Sequence, residues 1–189
     1  MAAALLGALA LSVTASAKTS HDGWPSITGV LVMNKQDQSR PIDARPGHDL
    51  FGGTDHSYSC DGLHRNRSCA HRSGVAARRG HNELLGGHGN DTIHAGRQGD
   101  VIWGDYKASG QPSSQVDRLI GGGSRDFVYA SHGTNIIRAG GGNDWVKAHF
   151  GRGIIDCGGG RDVLYISRRA QKSYRIRHCE KISHKTLGY

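Results

Sequence analysis

Aromatic side chains are scarce in this chain of 189 residues, and phenylalanine, tryptophan and tyrosine together make up only 6% of it. Glycine, in contrast, occurs 29 times, well above its usual share. Few large side chains and much glycine do not suit a thick globular core, and they fit a thin solenoid better. The length allows one domain, or one domain with an extension.

Catalytic motifs are also missing. The twelve histidines include no His-Glu-x-x-His pair of the metalloprotease type, and no serine lies in a nucleophile motif. A zinc site drawn from Cys60, His64, Cys69 and His71 would have a spacing that matches no common zinc pattern. We therefore expect that the chain is not an enzyme.

A long hydrophobic run is found only at the start, from Ala2 to Ala17. It ends in Ala15-Ser16-Ala17, a small-residue cleavage pattern, and it is too short to span a membrane. A buried helix is the alternative, but the run has no amphipathic period. We interpret residues 1–17 as a secretory signal and expect an extracellular protein with no transmembrane segment after its removal.

A nine-residue repeat runs without interruption from Pro112 to Tyr165. Its rows begin at Pro112, Gly121, Ala130, Ala139, Ala148 and Cys157. Position six reads Asp117, Asp126, Asn135, Asp144, Gly153 and Asp162, and position eight reads Leu119, Val128, Ile137, Val146, Ile155 and Leu164. Earlier rows at Ala77, Gly86 and Ala95 follow the same rule, and segment 104–111 shifts the register once.

The composition of one row predicts its structure. Glycines in the first six positions allow a tight turn, and positions seven to nine form a short strand. Position eight then points inward while positions seven and nine point outward. Two rows make one coil, so rows two apart stack on the same side and together build a continuous core.

Three hexapeptides, Gly86–Asp91, Ala139–Asp144 and Cys157–Asp162, resemble haemolysin-type (RTX) calcium-binding repeats, and the resemblance covers about half of the chain. It implies an all-β fold, a right-handed parallel β-roll over residues 77–166. Residues 18–76 would be an N-terminal extension with degenerate repeats, and 167–189 a basic C-terminal cap. The resemblance also implies Ca²⁺ as the bound cofactor.

In the family the ion lies between two stacked turns and takes position-six carboxylates and turn carbonyls, which are the oxygen ligands that calcium prefers. The resemblance gives as candidate ligands Asp91, Asp100, Asp126, Asp144, Asp162, Gly87, Gly89, Gly121, Gly123, Gly140, Gly142, Gly158 and Gly160. Because Asn135 and Gly153 stand at the acid position of alternate rows, we expect calcium on one side only. The ions would lie between the 121 and 139 turns and between the 139 and 157 turns.

Two questions stay open for these aspartates. The register shift leaves the stacking partners of Asp91 and Asp100 undetermined. The aspartates could also serve only as hydrogen-bonding turn residues, which is a common role of this side chain. We expect the calcium role, and with it a small exported protein that calcium folds or stabilises.

Four cysteines in an exported chain favour disulfides, with three pairings open. The local option joins Cys60 to Cys69 and Cys157 to Cys179. The second bond would tie the last repeat to the tail and seal the open end of the solenoid, since terminal repeats need caps.

A rival function is a surface-adhesion module. The formal net charge is +8, with basic residues concentrated before Asn82 and after Ser167. They would attract a cell-wall polyanion or glycan rather than nucleic acid, unless they are simply solvated. An outward aromatic face could assist binding or be covered by the N-terminal segment or a second copy; its residues are Phe127, Tyr129, Trp145, Lys147, Val163 and Tyr165.

Overall fold

The computed structural model describes residues 31–33, 41–45, 80–87, 89–105 and 113–185. The predicted signal at 1–17 and the predicted Cys60–Cys69 bond lie outside these residues. Two parallel sheets face each other. Successive strands of the repeat alternate between them and form a β-solenoid of about five turns. The predicted all-β solenoid is therefore confirmed.

The seven-stranded sheet contains, in spatial order, β1 (Leu31–Met33), β3 (Glu83–Leu85), β5 (Val101–Trp103), β7 (Phe127–Tyr129), β10 (Trp145–Ala148), β13 (Val163–Ile166) and β15 (Lys181–Ser183). The six-stranded sheet contains β14 (Tyr174–Arg177), β11 (Arg152–Asp156), β8 (Thr134–Arg138), β6 (Val116–Ile120), β4 (Thr92–His94) and β2 (Pro41–Asp43). Two short strands, β9 (Gly141–Gly142) and β12 (Gly159–Gly160), pair at one corner. A four-residue helix, α1 (Arg168–Gln171), lies near the C-terminus.

The core between the sheets consists of the position-eight side chains, as the repeat predicts. They stack in register, for example Val128 on Val146 and Val146 on Leu164. Each is completely buried, and the opposite sheet contributes Ile93, Leu119, Ile137 and Ile155. Burial of one such side chain contributes about 1.5–3 kcal/mol, so stability accumulates coil by coil.

The two outer faces differ from each other. On the seven-stranded sheet, Val101 and Phe127 are 0% and 2% exposed and belong to a second apolar cluster with Leu85 and Trp103. Phe127 therefore points outward from the core, as position seven predicts, but neighbouring side chains on the outer face bury it. On the six-stranded sheet the outward Arg118, between buried Asp117 and Leu119, is exposed.

The sheets continue beyond residues 77–166 in both directions. Strand β1 pairs with β3 before that range, and β15 pairs with β13 after it. Between β5 and β7 the aligned residues are 26 positions apart, whereas between β7 and β10 they are 18 apart. The extra residues of segment 104–111 therefore enlarge one coil and leave the alignment of both sheets intact.

The C-terminal end is held by the predicted Cys157–Cys179 disulfide, which joins Cα atoms 5.1 Å apart. It links the start of the last glycine-rich turn to the segment after β14. Closing a loop of this size contributes about 3 kcal/mol. Helix α1 replaces a turn here, and its N-terminus is capped by the Ser167 hydroxyl, which accepts the Ala170 N–H at 3.1 Å. No helix among the described residues is long and apolar enough to cross a membrane.

Candidate metal centre

The turns of the solenoid stack in two columns, one at each corner. Turns that lead from the six-stranded to the seven-stranded sheet form the carboxylate column, with rungs Asp100, Asp126, Asp144, Asp162 and Glu180. Turns that lead back form the mixed column, with rungs Asp91, Asp117, Asn135, Gly153 and Tyr174. Asp126, Asp144 and Asp162 thus share one side, and Asn135 and Gly153 lie on the other, as the row pattern predicts.

Each rung of the carboxylate column is bound to the next. The backbone N–H of Asp100 donates to Asp126 Oδ1 at 2.6 Å, that of Asp126 to Asp144 Oδ1 at 2.8 Å, and that of Asp144 to Asp162 Oδ1 at 2.7 Å. The column ends where the Asp162 N–H donates to Glu180 Oε2 at 2.8 Å. All four aspartates are fully buried. One carboxylate oxygen of each rung therefore accepts a backbone hydrogen bond that keeps neighbouring coils in register.

The structure also settles the positions of the two aspartates before the register shift. Asp100 belongs to the carboxylate column, directly next to Asp126. Asp91 belongs to the mixed column, where its N–H donates to Asp117 Oδ1 at 2.9 Å. Glu180 was not among the predicted site residues. It follows Asp162 by 18 positions, which is the length of one regular coil, so the period could have identified it.

The second carboxylate oxygen separates the turns into two kinds. In the 121 turn, Asp126 Oδ2 accepts the Gly122 N–H at 2.6 Å, and Asp100 Oδ2 likewise accepts the Gly96 N–H at 2.5 Å. We call these closed turns. In the 139 and 157 turns, the Oδ2 atoms of Asp144 and Asp162 are buried and accept no hydrogen bond from any described residue. We call these open turns.

Backbone conformation explains why the open turns leave that oxygen unbound. Gly158 and Gly160 have φ values of +97° and +141°, and so the chain runs as the short strand β12. The Gly159 N–H then donates to the Gly140 carbonyl at 2.8 Å and is not turned toward its own aspartate. A Cβ on Gly160 would lie 1.4 Å from the Gly142 carbonyl oxygen. Only glycine fits this close stacking of two turns.

The predicted ligand glycines fall on both sides of this distinction. Positive φ values are found in the predicted set at Gly87, Gly89, Gly140, Gly142, Gly158 and Gly160. Gly121 and Gly123 do not have them, because they stand at positions one and three of their row, whereas the positive φ values fall at positions two and four. The 121 row has Ser124 at position four, and with the Gly122–Asp126 hydrogen bond its turn has a different conformation from the 139 and 157 turns.

Electrostatics make the carboxylate column costly to ionise. Burial raises the pKa of Asp126 to about 8, helped by the charges of Asp100 and Asp144. Burial raises the pKa of Asp144 to about 7, and the neighbouring Asp162 adds to the effect. The pKa of Asp162 is also raised, first by burial and then by Glu180. Stacked buried carboxylates of this kind are stabilised by a nearby cation.

The open turns fit a calcium ion. They supply two buried carboxylate oxygens that lack hydrogen-bond donors, on Asp144 and Asp162, in turns rich in glycine. No cluster of three or more His, Cys, Asp or Glu side chains occurs in the described part of the chain. A cation at this corner must therefore take most of its ligands from the backbone, which suits a hard ion with six to eight oxygen ligands. Asp126 fits less well because its Oδ2 is already bound.

In the mixed column, Asp117, Asn135 and Tyr174 bind their polar side-chain atoms to one another's neighbours without an ion. Asp117 Oδ2 accepts the Ser131 hydroxyl at 2.5 Å, and Asn135 Oδ1 accepts the Ser131 N–H at 2.9 Å. Asn135 Nδ2 donates to the Tyr174 hydroxyl at 3.0 Å, and that hydroxyl donates to the Phe150 carbonyl at 2.9 Å. Tyr174 lies outside the repeat, 39 positions from Asn135, so no spacing in the sequence pointed to it.

The predicted aromatic face is assembled but largely covered. Trp145 lies between Phe127 and Tyr165, with ring centroids 5.5 and 5.4 Å away. Arg125 lies 5.0 Å from the rings of both Phe127 and Trp145. Phe127 is 2% exposed and Lys147 is 6% exposed, so neither is available as a binding surface. That part of the prediction is wrong, because both side chains pack within the outer face of their sheet.

Comparison with known protein families gives one match. The RTX calcium-binding nonapeptide repeat is detected in four copies, over residues 75–105 and 113–146. No curated protein and no solved structure matches the chain. The matched segments contain the rungs Asp91, Asp100, Asp117, Asp126, Asn135 and Asp144 and the first of the two open turns. The chain therefore contains RTX-type calcium-binding nonapeptide repeats.

Proposed function

We propose that this is a secreted, non-enzymatic protein whose solenoid is stabilised by calcium bound mainly between the 139 and 157 turns. The observation that carries the proposal is the pair of buried Oδ2 atoms on Asp144 and Asp162, which accept no hydrogen bond from described residues. Buried acceptors without donors are costly, and a bound cation removes that cost.

In the open turns, the two oxygens of each carboxylate would have different roles in binding the ion. Asp144 and Asp162 keep Oδ1 on the backbone of the preceding coil and offer Oδ2 to the metal. The bound ion supplies positive charge that favours the ionised carboxylates. Because the site is formed by two successive coils, its free energy of binding is also free energy of folding.

Secretion is supported by two separate features. The apolar run of residues 1–17 ends in a small-residue pattern typical of signal cleavage. The Cys157–Cys179 disulfide is also of a kind that persists in oxidising compartments. The absence of catalytic motifs from the sequence is the reason for the non-enzymatic assignment.

Isothermal calorimetry of the calcium-stripped full chain tests the site. We expect Asp162→Asn to abolish the tightest calcium binding, because it removes one of the two oxygens that the ion would occupy. Asp126→Asn should retain that binding, since Asp126 Oδ2 is already bound to Gly122. Asn135→Ala, in the mixed column, is the control and should retain the stoichiometry of the parent.

The same titration can contradict the proposal. Calcium binding that is unchanged in Asp162→Asn would mean that the open turns hold no ion. The aspartates would then act only as hydrogen-bonding turn residues.

A further inference from the structure

The outer face of the six-stranded sheet has no role in the calcium site. Its central strands alternate strictly, so that Arg118 on β6 and Arg138 on β8 point outward and are exposed. Arg152 on β11 and both Arg175 and Arg177 on β14 are exposed as well. We call these five residues the arginine face.

The register of the sheet places the arginine face in three parallel rows. Arg118 aligns with Ile136, Ile154 and Arg175 across four successive strands, Arg138 aligns with Asp156 and Arg177, and Arg152 aligns with Thr134. Each of these strands carries at least one exposed arginine. Neighbouring strands lie about 4.8 Å apart, so positive charge recurs at that interval along the solenoid axis.

Few groups neutralise this face. Asp117 on β6 is buried, and the acidic residue that faces outward on the same four strands is Asp156, which is paired with His178 Nδ1 at 2.8 Å. Within the described residues no ion pair involves Arg118, Arg138, Arg175 or Arg177. The charges are therefore carried on a fixed sheet and are available to a ligand, which lowers the ordering cost of binding.

The chemistry of the face selects the kind of polyanion. Arginine binds carboxylates in a two-pronged geometry, and Ile136 and Ile154 between the arginines offer an apolar surface to the flat side of a sugar ring. No Phe, Trp or Tyr points outward from β6, β8, β11 or β14, so the stacking platform that single-stranded nucleic acids need is missing there.

We propose that the arginine face binds a linear acidic polysaccharide that carries one carboxylate on each sugar. The polymer would run along the solenoid axis, with successive carboxylates on the arginines of successive strands. An extended chain of such sugars repeats at an interval close to the strand spacing. This surface differs from the basic ends and the aromatic face that the sequence suggested, and it does not depend on the calcium site.

Fluorescence anisotropy with a short, end-labelled oligogalacturonate tests this proposal on the full chain at a fixed calcium concentration. We expect the double variant R118Q/R138Q to weaken binding about tenfold or more, because two charge-assisted contacts are lost. The matched control is R168Q/R169Q on α1, which removes the same charge from exposed positions off the sheet and should change binding less than about twofold. R175Q/R177Q on β14 provides a second face variant if the first does not fold.

Three results would overturn the proposal. No binding of the parent would exclude this ligand class, and equal losses in the face and control variants would show attraction by net charge alone. Tighter binding of an oligothymidylate of equal charge, lost in the same face variants, would assign the surface to nucleic acid. Calorimetry with calcium is a separate measurement, so failure here leaves the calcium proposal standing.

Discussion

In the carboxylate column the regular rungs from Asp100 to Asp162 are all aspartates, whereas in the mixed column the rungs change from Asp117 to Asn135 and Gly153. Both columns stack the same backbone at the same spacing. One retains buried charge and leaves two carboxylate oxygens without hydrogen-bond donors. In the other, Asp117 accepts the Ser131 hydroxyl and Asn135 donates to the Tyr174 hydroxyl.

The difference shows two ways to close a glycine-rich turn. A network of side-chain hydrogen bonds makes a corner whose stability does not depend on a bound metal ion. A stack of carboxylates makes a corner that is complete only when a cation is present. The columns should therefore respond differently to substitution, calcium and pH, and the predictions that follow are arranged by the size of the expected effect.

The largest effect should come from Gly160→Ala in an open turn. Its φ of +141° and the 1.4 Å approach of a Cβ to the Gly142 carbonyl oxygen leave no room for a side chain. We expect a loss of about 3 kcal/mol or more in the free energy of unfolding, measured with urea at saturating calcium. Gly123→Ala in the closed turn is the control, because nothing lies within 4 Å of its Cβ position. Equal losses in both variants would contradict the distinction between open and closed turns.

The next effect is the response to calcium. A hundredfold excess of calcium over Kd should stabilise the parent by about 2.7 kcal/mol, seen as a rise in melting temperature. Asp162→Asn should lose most of that rise, since the ion loses a charged ligand. Asp117→Asn makes the same chemical change in the mixed column and should keep the rise. If Asp117→Asn abolishes the rise and Asp162→Asn retains it, calcium binds in the mixed column and not in the carboxylate column.

Tyr174→Phe should cost about 1–3 kcal/mol, because it leaves the buried Nδ2 of Asn135 and the Phe150 carbonyl short of a partner. The cost should be the same with and without calcium. Tyr165→Phe is the control, since the Tyr165 hydroxyl makes no hydrogen bond with described residues. Chemical denaturation at two calcium concentrations measures both. A cost for Tyr174→Phe that grows after chelation would mean that the columns are coupled.

The smallest effect, taken for each pH unit, is the pH dependence of stability in the mixed column. Burial raises the pKa of Asp117 to about 7 although the Ser131 hydroxyl and the Asp91 N–H oppose the change. The folded protein thus holds this proton more tightly than the unfolded chain does. Its contribution is full below about pH 4 and disappears as the pH rises to about 7, by less than about 1.4 kcal/mol for each pH unit. Asp117→Asn should flatten this part of the stability curve at saturating calcium, and an unchanged slope would contradict the assignment.

Much of the fold could be predicted because one residue in nine is forced inward. The aliphatic at position eight has no other way to leave water than to stack on its counterpart one coil away, as Val128 does on Val146. The sidedness of Asp144 and Asn135 follows from the same geometry. The burial of Phe127 could not be predicted, since it depends on what packs on the outside of the sheet and not on the repeat.

The candidate site was predictable in position but not in detail. The sequence placed Asp126, Asp144 and Asp162 together, but it could not show that Asp126 is bound to Gly122 while the other two retain an oxygen without a donor. The 121 row has Ser124 at position four, where the 139 and 157 rows have Gly142 and Gly160 with positive φ, and its turn takes a different conformation. Tyr174 was missed because a contact over 39 positions gives no periodic signal in the sequence.

The enlarged coil has a consequence for how such a protein can change. Aligned residues 26 rather than 18 positions apart still meet in both sheets, so an added length of chain leaves the pairing of the neighbouring strands intact. In a solenoid each coil touches only its neighbours, and an insertion is a local event. The stretch of sequence between Asp105 and Ser113 is therefore a place where foreign peptide could be grafted and exchanged while the scaffold stays the same.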